Sequence, residues 1–246
     1  MLLLLAYMAL GIFVVGFGWR VWRYANTPAP LKIPTTPAPT TTAGVTWRLF
    51  TEVAFFNSLF KGNKWTWLGG YLFHLALAVV LVRHLRYFIE PLPHLFVYVE
   101  MAGIVAGVAM VGALLFLLVR RFLVARIRFI SSMADYLWLL LLLAIGITGL
   151  CMQFAARPDI IAIKSAMIGW VTLRGFVTPT DGLFILHFVL VLLMMALFPF
   201  SKLMHLGGIF FSPTRNQTDN PREVKHVNPW AESVGAGFSA KETSRG

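Results

Sequence analysis

The sequence predicts an all-α membrane protein, a five-transmembrane-helix bundle with the N-terminus outside and the C-terminus cytoplasmic. Three observations predict it. Of 246 residues 58% are hydrophobic and only 13% charged, and the mean hydropathy is +0.75, which excludes a chain with an ordinary water-solvated surface. Apolar runs long enough to cross a hydrocarbon core about 30 Å thick, roughly 20 residues each, recur five times. The basic residues lie between these runs and are unevenly shared between the two sides.

The first span is expected from about Leu2 to Trp19. Arg20 and Arg23 follow it and no basic side chain precedes it, the reverse of a signal peptide, so it reads as a retained helix. The second is expected from Trp65 to Phe88, the third from Phe96 to Val119 and the fourth from Met133 to Phe154. The fifth runs from Leu183 to His205 or Phe211. Residues 1–211 thus form one membrane domain, and the polar tail 212–246 is expected to order only against a partner.

The connection 25–64 carries Pro28, Pro30, Pro34, Pro37 and Pro39 among threonines, a composition that favours extended polyproline backbone. Gly44 to Asn63, with Trp47, Phe50, Phe55, Phe56 and Phe60, reads as an interfacial helix on the inner leaflet. A short, partly apolar helix is expected between Arg157 and Pro179. With the N-terminus outside, 16 of the 21 Lys and Arg fall on the inner side, and the formal net charge of +11 is explained by topology and anionic lipid rather than by nucleic acid.

One cysteine, Cys151, excludes a disulfide within the chain and is expected to be a buried, inert thiol. The histidines carry the chemistry. Four of the six lie inside spans, His74 and His84 in the second, His187 and His205 in the fifth. Ionisable side chains at membrane depth are costly, which makes each a functional candidate. The ten-residue step in span two covers about 15 Å and the 18-residue step in span five about 27 Å, so neither helix can bring both of its histidines to one metal. Because the two spans run in opposite directions, His84 matches His187 in depth and His74 matches His205.

Two imidazoles facing across a gap between helices suit the axial positions of a haem. Two ligands per site are too few for structural zinc. On a continuous helix His187 and His205 would share nearly one face. Pro199 between them either kinks the helix or is merely tolerated. Gly69, Gly70 and Gly182 offer close helix approach or turn freedom; Gly103, Gly107, Gly112, Gly146 and Gly149 read as small-residue packing.

Haem propionates need cationic partners. Arg83 and Arg86 are candidates for the outer site, and Lys64, Arg48 and Arg120 for the inner one; snorkelling anchors explain any one of them equally well. Glu90, His94 and Glu100 are candidates for quinone or proton handling on the outer side.

Five spans with the N-terminus out, H-x9-H in span two and H-x17-H in span five resemble the gamma subunit of respiratory nitrate reductases, a dihaem cytochrome b family. The stretch TPAPLKIPTTPAP from Thr27 to Pro39, with the whole architecture, is similar to the DsrM family of membrane subunits from the DsrMKJOP complexes of dissimilatory sulfur metabolism. The resemblance implies two haem b, a menaquinol or ubiquinol site by the outer haem, and a bacterial or archaeal cytoplasmic membrane. It also implies a cytoplasmic iron-sulphur partner like DsrK. A multihaem cytochrome c, a ferredoxin-like protein and a second membrane subunit would complete the assembly. The sequence departs from the nitrate-reductase pattern where Arg83, not glycine, precedes His84, and where Ile89 to Leu95 contains no lysine for a quinone oxygen.

The resulting expectation is an electron-transfer subunit of a quinol oxidoreductase complex. The rival readings are a haem-free structural membrane anchor and a small transporter; no inverted repeat favours the latter.

Overall fold

The computed structural model describes residues 1–28, 34, 36–174 and 179–220. Among these the chain is helical without strands. Five segments are long and apolar enough to span a membrane: Leu2–Asn26, Lys64–Tyr87, Phe96–Leu123, Met133–Ala156 and Gly182–Phe200. The chain is a multi-pass membrane protein. Its contacts separate into two units, Met1–Val14 with Ser58–Pro199, and Val15–Asn57 with the chain from Phe200 onward.

In the first unit, α4 (Lys64–His84) packs along α5 (Phe96–Leu123), and α5 in turn meets α7 (Met133–Cys151), which meets α9 (Gly182–Leu197). Small residues at these contacts let backbones approach, because lipid offers no hydrophobic drive between helices and packing must supply the attraction. A Cβ on Gly69 would lie 2.8 Å from the side chains of Leu117 and Phe116, so α4 and α5 touch there through bare backbone. Around this contact Phe73, Ala76, Ala106, Met110, Ala113, Leu114 and Leu143 form one core. A second core joins Ala6 and Ala9 of the first helix, α1 (Leu2–Asn26), to Ile163, Ala166 and Met167 of α8 (Ile160–Thr172) and to Phe184, Phe188 and Leu192 of α9. On α5, Val97, Met101, Val105 and Val108 are all more than half exposed at helical spacing, an outward apolar face suited to lipid.

Polar residues start the spans where the sequence changes character. Asn63 caps α4 by accepting from the Thr66 N–H at 2.9 Å, and Asp181 caps α9 through the Phe184 N–H at 2.7 Å. The Asp135 carboxylate accepts from the Ser132 N–H at 2.9 Å at the start of α7. Asp159 caps α8, the short helix expected in that connection, before Leu173 ends it in left-handed backbone at φ 58°.

Several expectations need correction. The fifth span does not run unbroken to His205. Its α-helix ends at Leu197, and fully buried Pro199 sits in a 3-10 turn, Phe198–Phe200. Proline has no N–H to donate and its ring clashes with the preceding turn. Ser201 then restarts the chain by accepting from the Leu203 N–H at 3.1 Å, leaving His205 to open a separate short helix, α10 (His205–Gly208). The shared helical face expected for His187 and His205 is therefore lost. Cys151 is exposed rather than buried, because it lies one turn beyond outward-facing Ile147.

In the second unit, the single interfacial helix expected from Gly44 to Asn63 is instead two, α2 (Thr42–Phe55) and α3 (Asn57–Gly62), of which α3 continues into the first unit. They are divided at Phe56, whose φ of 51° interrupts the helix. Trp47 and Phe50 stack on α2 and are more than half exposed, in keeping with an interfacial surface. The tail also departs from expectation. Its first residues form α11 (Pro213–Asn216), which packs on α2, and Arg215 reaches the buried Glu52 carboxylate at 2.9 Å. The Asp219 N–H donates to the Pro39 carbonyl at 2.9 Å, tying tail to proline-rich connection. The tail beyond Asn220 lies outside the described residues.

Candidate functional site

α4 ends at His84, and α9 places His187 early in its second turn. The two imidazoles come together in the first unit with centroids 6.5 Å apart and planes inclined by only 14°. His84 Nδ1 is hydrogen-bonded to the Val80 carbonyl at 2.7 Å, one turn back on its own helix. His187 Nδ1 is 2.9 Å from Thr148 Oγ1 on α7. Both rings therefore have Nδ1 engaged, which reserves Nε2 for another role.

The separation of the two rings fits a metal ion held between them. Imidazole nitrogens bind first-row metals at about 2 Å, so two rings on opposite sides of one ion have centroids roughly 6 to 6.5 Å apart. Metal-ligating histidines donate their second nitrogen to a carbonyl or similar acceptor, and the Val80 carbonyl and Thr148 hydroxyl stand in that place beside His84 and His187. Among the described residues no three His, Cys, Asp or Glu side chains gather as a metal cluster.

His74 and His205 fall in different units. His74 repeats the arrangement of His84, its Nδ1 2.7 Å from the Gly70 carbonyl four residues back, and His205 Nδ1 is 2.8 Å from the Lys202 carbonyl three residues back. α4 is continuous between His74 and His84, so the ten-residue step expected from sequence is kept.

Around the His84 end, Arg83, Arg86 and Glu100 line one small cavity with Leu92 and Phe96. Arg83 Nη2 donates to Gln153 Oε1 at 2.6 Å, while its Nε is buried without a hydrogen-bond partner. Its aliphatic stem lies on Gly103, where a Cβ would stand 2.8 Å from that of Arg83. Arg86 is committed to Glu100 at 2.6 Å. Glu90 is paired with Lys164 of α8 at 2.6 Å, so a lysine does reach the connection between α4 and α5, though from another part of the chain. His94 is exposed.

The residues considered for the other site are scattered in their bonding. Arg120 donates to Asn63 Oδ1 at 3.0 Å and to Thr66 Oγ1 at 3.4 Å. Lys64 lies over the Phe60 ring, 5.6 Å from its centroid. Arg48 Nη1 is buried in the second unit without a hydrogen-bond partner. Sequence reasoning missed Thr148, Gln153 and Lys164. A threonine and a glutamine inside or at the end of an apolar span were the available signals for the first two; nothing local marked Lys164.

A multi-span helical bundle that sets two imidazoles almost parallel at one end defines the class of membrane cytochrome b-like proteins. Residues 42–225 match the model of the nitrate reductase gamma subunit, and the chain belongs to that family. It is 35% identical to the "Hdr-like menaquinol oxidoreductase cytochrome b-like subunit" of Archaeoglobus fulgidus, over 91% of this chain and 81% of that protein. The protein of the same name from Archaeoglobus profundus is 34% identical, over 92% of this chain and 81% of its own length.

Proposed function

We propose that the chain is the dihaem b membrane subunit of a quinol-linked electron-transfer complex, with His84 and His187 holding one haem iron and His74 and His205 the other. The observation that carries this reading is the near-parallel His84 and His187 pair at 6.5 Å, each ring with Nδ1 already engaged. The second pair is supported by the Nδ1 contacts of His74 and His205 with backbone carbonyls, which leave Nε2 for a ligand role in each ring. Bound haem b supplies a one-electron couple whose potential the axial ligands and their hydrogen bonds tune.

The chain's own groups orient and hold. Val80 and Thr148 aim the two imidazoles, and the buried, unpartnered Nε of Arg83 is a donor suited to a haem carboxylate beside His84. Arg86 and Glu100, paired at 2.6 Å, line the adjoining cavity, and Glu100 is the carboxylate there for proton handling. The relatives' names support a menaquinol as the membrane substrate. With the N-terminus outside, this cavity faces the outer surface, and the connection 25–64 with the tail presents a cytoplasmic face to an iron-sulphur partner like DsrK, in the setting of dissimilatory sulfur metabolism. A multihaem cytochrome c, a ferredoxin-like protein and a second membrane subunit complete the proposed assembly. The membrane domain is 1–211 and the cytoplasmic tail 212–246.

The test is a dithionite-reduced minus oxidised spectrum of the purified full chain with haem quantitation. Two b-type haems per chain are expected; a chain that binds none is a structural anchor, and the proposal fails.

A further inference from the structure

Thr148 is a buried polar side chain inside an apolar span, near the end of α7. Its hydroxyl oxygen is 2.8 Å from the Ala144 carbonyl, 3.0 Å from the Ile145 carbonyl and 2.9 Å from His187 Nδ1. A threonine hydroxyl has one proton to give and backbone carbonyls can only accept. With that proton directed to the preceding turn of α7, the oxygen is left as an acceptor, and the hydrogen between it and the imidazole belongs to His187 Nδ1. The ring is then held as the tautomer whose Nε2 carries the lone pair.

This contact differs from those of the other three candidate ligands. His84, His74 and His205 each turn Nδ1 to a carbonyl three or four residues back in their own segment. His187 takes its Nδ1 contact from Thr148 on the neighbouring helix α7. Gly149, the next residue, completes the seat: a Cβ there would stand 3.4 Å from His187 Cε1, so the ring edge lies along a stretch of α7 that carries no side chain. Hydrogen bonding of Thr148 to its own helix is common for threonine in membrane spans and needs no partner; the approach to His187 is additional.

We infer that Thr148 is a positioning residue for His187, fixing its tautomer and ring orientation across the α7–α9 contact and tuning the metal that His187 binds. The inference rests on the reading that His84 and His187 share a haem. An acceptor on Nδ1–H increases the electron-donating power of the ligand nitrogen and favours the oxidised metal. Removing it raises the reduction potential of that haem and loosens the ligand.

The experiment is a potentiometric titration of the haem absorbance in the full chain, for wild type, Thr148→Val, Thr148→Ala and Thr148→Ser. The component assigned to the His84 and His187 pair is the one missing in His84→Ala. Thr148→Val, nearly the same shape without the acceptor, is expected to raise the potential of that component alone and to weaken its haem retention about 10- to 100-fold. Thr148→Ala must move it in the same direction, and Thr148→Ser must restore it. Unchanged potentials in Thr148→Val and Thr148→Ala, or equal shifts in both components, overturn the inference while leaving the dihaem reading intact. A wild-type chain without haem overturns the underlying reading instead.

Discussion

Arg83 near the end of α4 donates to Gln153 at 2.6 Å, joining α4 to the π-helical segment Met152–Ala156 that follows α7. A π turn inserts an extra residue into the helical ladder and often marks a functional position. Here it places a carboxamide beside an arginine whose Nε is already buried without a partner.

Gln153→Ala removes the acceptor from a partly buried cation. The expected cost is about 1–3 kcal/mol, which lowers the unfolding midpoint by about 2–4 °C for each kcal/mol in a chain of this size. Gln153→Glu keeps an acceptor and adds opposite charge, so it should recover the loss. Thermal unfolding of the purified chain in one fixed detergent measures both.

Substituting one histidine at a time tests the pairing. His84→Ala and His187→Ala should each leave about half the haem absorbance and the same residual spectrum, because either ligand alone holds iron poorly. His74→Ala and His205→Ala should spare the complementary component. If His84→Ala and His187→Ala remove different components, the proposed combination is wrong.

How much of this was legible beforehand follows from what each residue depends on. The five spans and the short α8 rest on local hydropathy, and the sequence displays that directly. The matched depths of His84 and His187 follow from antiparallel connectivity, and their rings do meet. The end of the fifth helix was not legible, because proline in a membrane span is either tolerated or disruptive depending on the neighbours that receive the freed groups. At Pro199 the helix breaks. Thr148 gains its partner only when α9 is laid against α7, and Lys164 and Glu90 are joined only by the folding of α8. The docking of Arg215 on Glu52, 163 residues away, is a long-range contact that no local pattern announces.

Membrane orientation is testable with single cysteines. In a Cys151→Ser background, His94→Cys should react with a membrane-impermeant maleimide in intact cells, as expected if that exposed turn faces outside. Asn216→Cys, on α11, should react only after the membrane is opened. The reverse pattern would invert the topology and move the His84 cavity to the cytoplasmic side.

The Glu52 carboxylate is 8% exposed and the Arg215 side chain 29%, so their 2.9 Å pair is partly shielded from water. Breaking a fully buried pair from one side costs about 3–5 kcal/mol, and exposed pairs contribute about 0–1 kcal/mol. This pair lies between those limits. Glu52→Ala leaves the arginine without its carboxylate and weakens the attachment of α11 to α2, while the hydrogen bond from Asp219 to Pro39 remains. Trypsin should therefore release the tail faster from Glu52→Ala than from wild type, with cleavage at Arg215 read by mass spectrometry. Glu52→Asp, which restores the charge on a shorter side chain, should give an intermediate rate. Equal rates in all three would show that the pair does not hold the tail.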